Sequence, residues 1–134
     1  MDKKMFCFQC EQTVGCAGCT GNAGVCGKKA DTARLQDELT GALIGLARAV
    51  DSTTAISKRT GQVIIEGLFT TVTNVNFDDA SIENMIQKVR AEKERLVPDC
   101  SKGQSPCGKT GEYDMQQLWN ANEDIRSLKS LILF

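Results

Sequence analysis

The chain has 134 residues, enough for one domain that buries a sizeable core without disulfide or metal staples. Apolar residues make up 41% and charged residues 25%, and Lys+Arg 16 against Asp+Glu 17 leaves a formal net charge of -1, which argues against a polybasic nucleic-acid or membrane surface. Seven cysteines and no histidine exclude Cys–His nucleophile pairs, His-ligated zinc and His-ligated haem within these residues, and leave sulfur to carry the chemistry.

Met1-Asp2-Lys3-Lys4 has the charge of a signal n-region, but Phe8, Gln9, Cys10, Glu11 and Gln12 follow where an apolar run is required. No apolar stretch approaches the roughly 20 residues that span a membrane, so a cytoplasmic chain with neither membrane nor nucleic-acid partner is expected. Residues 1–30 hold five cysteines and five glycines (Gly15, Gly18, Gly21, Gly24, Gly27) without an apolar period. They read as a loop that wraps around a bound group, because few of their side chains can build a core.

From residue 31 the pattern turns helical. Asp31 is placed to cap a helix carrying Leu35, Leu39, Ala42, Leu43, Leu46 and Val50 on one face. Gly41 and Gly45, four apart, predict close packing of that helix against a neighbouring helix. Residues 55–76 suit a helix with Ile56, Ile64, Leu68, Val72 and Val75 inward, since the segment is long for a strand. Asp78 and Asp79 open a further helix with Ile82, Met85, Ile86 and Val89 inward. Its charged residues, Glu83, Lys88, Arg90, Glu92, Lys93, Glu94 and Arg95, read as a solvated face, and Val97-Pro98 stops it.

Residues 98–112, with both prolines, three glycines, Cys100 and Cys107, read as a second loop of ordinary thiols. Asp114 to Gln117 resembles a capping arrangement before Leu118 and Trp119, and Trp119 is expected in the core. Apolarity then rises from Ile125 to Phe134, which predicts a helix whose exposed face invites self-association and a chain that is a piece of a longer protein. The fold class expected is all-α: an up-and-down helical bundle over 31–134, preceded by the Cys/Gly-rich cluster-binding loop 1–30, together one structural domain.

The cysteine spacing is Cys7-x2-Cys10-x5-Cys16-x2-Cys19-x6-Cys26. Two intervening residues let a pair of thiolates reach one metal from a tight turn, and nearby glycines free backbone N–H groups to point at sulfur. The odd count disfavours a disulfide set. Structural zinc on Cys7, Cys10, Cys16 and Cys19 and an iron–sulfur cluster both remain open on spacing alone.

Met5-Phe6-Cys7-Phe8-Gln9-Cys10-Glu11-Gln12-Thr13, Gly18-Cys19-Thr20 and Gly24-Val25-Cys26-Gly27-Lys28 resemble the N-terminus of the hybrid-cluster proteins, also called prismane proteins or hydroxylamine reductases. Leu35-Gln36-Asp37, Gln117-Leu118-Trp119-Asn120 and Arg126 to Phe134 extend the resemblance over most of the chain. It implies that Cys7, Cys10, Cys19 and Cys26 hold a proximal cluster, with Cys16 outside the set. The last gap is one residue longer than in the common [4Fe-4S] branch, while the middle gap favours [4Fe-4S] over the alternative [2Fe-2S].

The resemblance further implies an oxidoreductase that reduces hydroxylamine to ammonia at a separate hybrid Fe-S-O cluster held by later domains. The present residues would relay electrons to it from an external donor, and would carry no catalytic residue and no activity alone. A zinc-stabilised interaction module without redox activity is the alternative.

Overall fold

A computed structural model describes residues 5–10, 18–51, 56–72, 75–97 and 111–133. Among these residues five helices follow in order: α1 (Ala30–Asp51), α2 (Lys58–Thr71), α3 (Asp79–Leu96), α4 (Gln116–Trp119) and α5 (Glu123–Leu133). Among the described residues there is no strand beyond two isolated antiparallel bridges in the N-terminal segment, so the expected all-α class holds.

The main core forms where α1, α2 and α3 meet. Leu39, Ala42, Leu43 and Leu46 of α1 pack with Val63 of α2 and with Ile82, Met85, Ile86 and Val89 of α3. Leu35 and Val50 border this core, so the α1 stripe lies where its spacing places it. Helix α1 begins at Ala30, so Asp31 sits inside the first turn rather than at the cap, where its charge still favours the positive end of the helix. Ser57 caps α2 by accepting the Thr60 N–H at 3.1 Å. Asp114 accepts the Gln116 N–H at 3.0 Å in the turn before α4, but the cap position itself is Met115, which makes no side-chain cap bond, so the expected capping arrangement is not formed.

Helix α2 is rotated from the expected orientation. Its buried residues are Thr60, Val63 and Gly67, while Leu68 and Val72 face outward with Ile65 and Phe69. Ile56 and Val75, expected inward, are exposed outside the helix. The cause is close approach: a Cβ at Gly67 would lie 2.7 Å from Leu43 Cδ2, so glycine lets α2 settle on α1 along its small-residue face.

Glu92 also departs from the solvated face expected of it. It is 1% exposed, accepts from Thr60 Oγ1 at 2.7 Å and pairs with Arg95 at 2.6 Å and Arg59 at 3.1 Å. The Arg95 hydrogen bond, aided by Thr60, holds its carboxyl down at about 2.

Gly41 and Gly45 do pack closely, but against the irregular segment before α4 rather than a helix. Their missing Cβ atoms make room for Tyr113, Met115 and Glu112. That segment is pinned by Tyr113 N–H to Gly41 O at 3.3 Å and by Arg48 to Gly111 O at 2.8 Å. Arg90 of α3 adds a bridge to both Glu112 and Glu38 at 2.9 Å.

Helix α5 is amphipathic, and its apolar residues Ile125, Leu128, Leu131 and Ile132 are exposed. No helix among the described residues is long and apolar enough to cross a membrane.

Candidate metal centre

The N-terminal segment is ordered by two short backbone pairings. Cys7 and Cys19 face each other in an antiparallel bridge: Cys7 N–H donates to Cys19 O at 3.1 Å and Cys19 N–H to Cys7 O at 2.8 Å. Directly opposed residues project their side chains to one face, with Cβ atoms about 4.5–5.5 Å apart. Both thiols are free. Met5 N–H to Gly21 O at 3.0 Å extends the pairing by one step. Gly18 enters it at φ 80, and a Cβ there would press on Cys7 O at 3.2 Å and on the Phe8 and Phe6 rings, so only glycine fits this turn.

The second pairing joins Ala23 and Lys29, and Cys26 sits at the tip of the turn between them. Gly24 N–H donates to Lys28 O at 2.8 Å, Gly27 N–H to Gly24 O at 2.9 Å, and Gly27 takes φ 84. The Cys26 thiol folds back over Gly24, 3.5 Å from where a Cβ would stand. Cys26 is exposed, Cys10 half-buried and Cys19 buried.

Beneath these turns lies Lys28, 1% exposed. Its Nζ donates to Gln36 Oε1 at 2.6 Å and to Gln9 Oε1 at 2.9 Å, and stands 4.0 Å from Cys7 Sγ. Phe77 covers it with its ring centroid at 5.8 Å. Gln36 is anchored in turn by Asn76 O at 2.7 Å. Burial pushes the Cys7 thiol up, and the Lys28 charge opposes that push.

The floor of the site is aromatic. Met5 and Phe6 are buried, which the loop reading of residues 1–30 did not anticipate. The Phe6 ring meets Trp119 edge-on at 6.5 Å, and the Arg126 guanidinium stacks over Phe6 at 4.1 Å. Trp119 Nε1 donates to Asp37 Oδ2 at 2.8 Å. Trp119 is thus half-buried and ties α4 to α1.

Burial pushes the Asp37 carboxyl from 3.8 up to about 7, against the Trp119 hydrogen bond and the Lys28 charge. Between these values the folded chain holds a proton that the unfolded chain has released. The resulting stability is complete below the unfolded value and lost as pH rises through the folded one. Urea unfolding across that window should show stability falling with rising pH by up to about 1.4 kcal/mol per unit from this group. Asp37→Asn, which keeps the acceptor for Trp119, should remove that slope; parallel profiles for the two proteins contradict it.

Of the four cysteines implied as ligands, the structure opposes Cys7 and Cys19 directly and carries Cys26 on the neighbouring turn. Cys10 follows Gln9, a partner of Lys28. Among the described residues no three Cys, Asp or Glu side chains converge on one metal position, so the structure opposes Cys7 and Cys19 but does not gather all four cysteines around one point. Cys16, Cys100 and Cys107 lie outside the described residues. The donors present are soft thiols with glycine packed against Cys26 Sγ and Cys7 O, which fits a thiolate-held metal or cluster in ligand type. Sequence reasoning missed Lys28, Gln36 and Asp37; the only signal was their place in the motifs Gly24–Lys28 and Leu35–Asp37.

A sequence profile of the Prismane/CO dehydrogenase family matches residues 5–134. Three similar proteins are hydroxylamine reductases. That of Clostridium perfringens is 38% identical over 97% of this chain and 27% of its own length. That of Thermodesulfovibrio yellowstonii is 40% identical over 97% of this chain and 28% of its own length. The Porphyromonas gingivalis protein is 37% identical over 100% of this chain and 28% of its own length. The chain thus spans about a quarter of the length of the curated relatives it matches.

Proposed function

The chain belongs to the Prismane/CO dehydrogenase family, and from that premise we propose that it is the electron-transfer part of a hydroxylamine reductase, with Cys7, Cys10, Cys19 and Cys26 holding a proximal [4Fe-4S] cluster. Residues 1–30 form the cluster-binding segment, and residues 31–134 the helical body that carries it. The location is the cytoplasm. The partners are an external electron donor and the polypeptide that corresponds to the other three quarters of the relatives. There a hybrid Fe-S-O cluster would supply the chemistry that reduces hydroxylamine, with two electrons and two protons, to ammonia and water.

The observation that supports this most is the Cys7–Cys19 pair, which sets two thiols on one face beside the Cys26 turn. When bound, an iron–sulfur cluster supplies one-electron storage at a potential set by its surroundings. The chain's own contribution is to hold sulfur. Backbone pairing fixes Cys7 against Cys19, and the tight Gly24–Lys28 turn presents Cys26. Met5 and Phe6 close the underside to water. Burial and hydrogen bonds to sulfur are the means by which such a loop sets a potential.

Anaerobic reconstitution with iron and sulfide tests the assignment. A brown protein that becomes paramagnetic on one-electron reduction is expected. A colourless protein with stoichiometric zinc, even after reconstitution, overturns it and leaves a zinc-stabilised module.

A further inference from the structure

We propose that Lys28 is the fixed counter-charge of the thiolate site, a positioning residue whose ammonium faces Cys7 and makes the bound cluster easier to reduce. The inference rests on the iron–sulfur assignment above and adds to it a residue that is not a ligand.

The geometry of the ammonium carries it. Three N–H groups have three acceptors: Gln36 Oε1 at 2.6 Å, Gln9 Oε1 at 2.9 Å and Cys7 Sγ at 4.0 Å. The two closest are neutral amides, which solvate the charge without cancelling it. The neighbouring carboxyl, Asp37, is bonded by Trp119 and feels the Lys28 charge without a hydrogen bond to it. Among the described residues no carboxylate is bonded to this lysine, which is 1% exposed, and such a charge is expensive to bury unless an anion stands beside it. The remaining contact is Cys7 sulfur at 4.0 Å, and a thiolate held there by a bound cluster would stand directly against the ammonium.

A loop that gathers thiolates supplies several negative charges, and a cation fixed next to one of them lowers the cost of adding an electron. Gln36 is held by the carbonyl of Asn76, and Phe77 lies over Nζ, so the charge cannot swing out to solvent. The cation is therefore set in place by α1 and by the residues before α3 rather than by the cysteine loop alone.

The test compares Lys28→Met and Lys28→Arg with the unmodified chain, each reconstituted anaerobically with iron and sulfide and titrated by EPR. The Met variant should take up an electron at least about tenfold less favourably, 59 mV for a one-electron couple, and the Arg variant should stay within about threefold of the parent. Lys28→Met should also weaken folding more in the loaded than in the cluster-free chain, a difference that a packing role would not produce. A loaded Met variant with unchanged potential overturns the proposal, as does equal destabilisation of loaded and cluster-free chains. Cluster lost from the Met variant but kept by the Arg variant supports it; cluster lost from both overturns it and leaves Lys28 a packing residue. Failure of the unmodified chain to take up iron and sulfide instead overturns the iron–sulfur assignment itself, and the proposal with it.

Discussion

Cys26→Ser should strip the iron–sulfur cluster from the reconstituted chain, while Cys16→Ser should leave it in place. Cys26 is the clean position for this experiment because its side chain is exposed at the tip of a turn held by backbone bonds. Serine there removes a thiol and is close in size to the cysteine it replaces. Cys19 is buried in the small core with Met5 and Ala33, so a change there confounds ligand loss with lost packing. Losing a ligand should cost more than the roughly 10–100-fold in affinity that loss of an outer partner costs. Zinc held by Cys7, Cys10, Cys16 and Cys19 predicts the reverse pattern: metal kept in Cys26→Ser and lost in Cys16→Ser. Iron and zinc content of both variants, measured beside circular dichroism to establish that each has folded, separates the two.

The second large effect is expected at Gly41. A Cβ there would lie 2.7 Å from the Tyr113 carbonyl oxygen, a backbone atom that moves only if the whole 111–115 segment moves. Tyr113 N–H bonds Gly41 O, and Glu112 is tied to Arg90, whose hydrogen bond holds the Glu112 carboxyl below its ordinary range. Gly41→Val should therefore lift this segment from α1 and destabilise the fold by about 2 kcal/mol, in the range of overpacked positions. Gly61 in α2 provides the control: nothing stands within 4 Å of a Cβ there. Gly61→Ala should stabilise by about 0.5–1 kcal/mol through helix propensity alone. Chemical denaturation midpoints of the two variants should move in opposite directions; a neutral Gly41→Val would mean that the segment is not docked.

The contrast between α1 and α2 explains which parts of the fold are legible in the residues. Helix α1 has one apolar face, and Leu39, Leu43 and Leu46 lie in the core where their spacing puts them. Helix α2 has apolar residues on two faces, and periodicity cannot rank them. The packed face is the one with the smaller residues, Thr60 and Gly67, because it lets the helices approach, and the larger Leu68 and Phe69 remain outside. Glu92 shows the same limit for charge. A carboxylate in a run of charged residues reads as solvated, and only the spatial meeting of Thr60, Arg59 and Arg95 makes its burial affordable.

The candidate site divides similarly. The cysteines and glycines stand out by spacing, and the resemblance of Met5–Thr13 and Gly24–Lys28 to hybrid-cluster proteins agrees with the family match over residues 5–134. What surrounds them is not local. Lys28 is partnered by Gln9 and Gln36, and Phe6 by Trp119 and Arg126. Contacts between residues so far apart in the chain leave no periodic trace. A lysine two residues after a cysteine looks like any surface lysine until the fold closes over it.

Iron and acid-labile sulfide per chain after anaerobic reconstitution is the most direct test of the cysteine segment as an iron–sulfur site. About four irons and four sulfides per chain, lost together in Cys26→Ser, are predicted for a [4Fe-4S] cluster on Cys7, Cys10, Cys19 and Cys26. One zinc per chain with no sulfide, retained in Cys26→Ser, would contradict it.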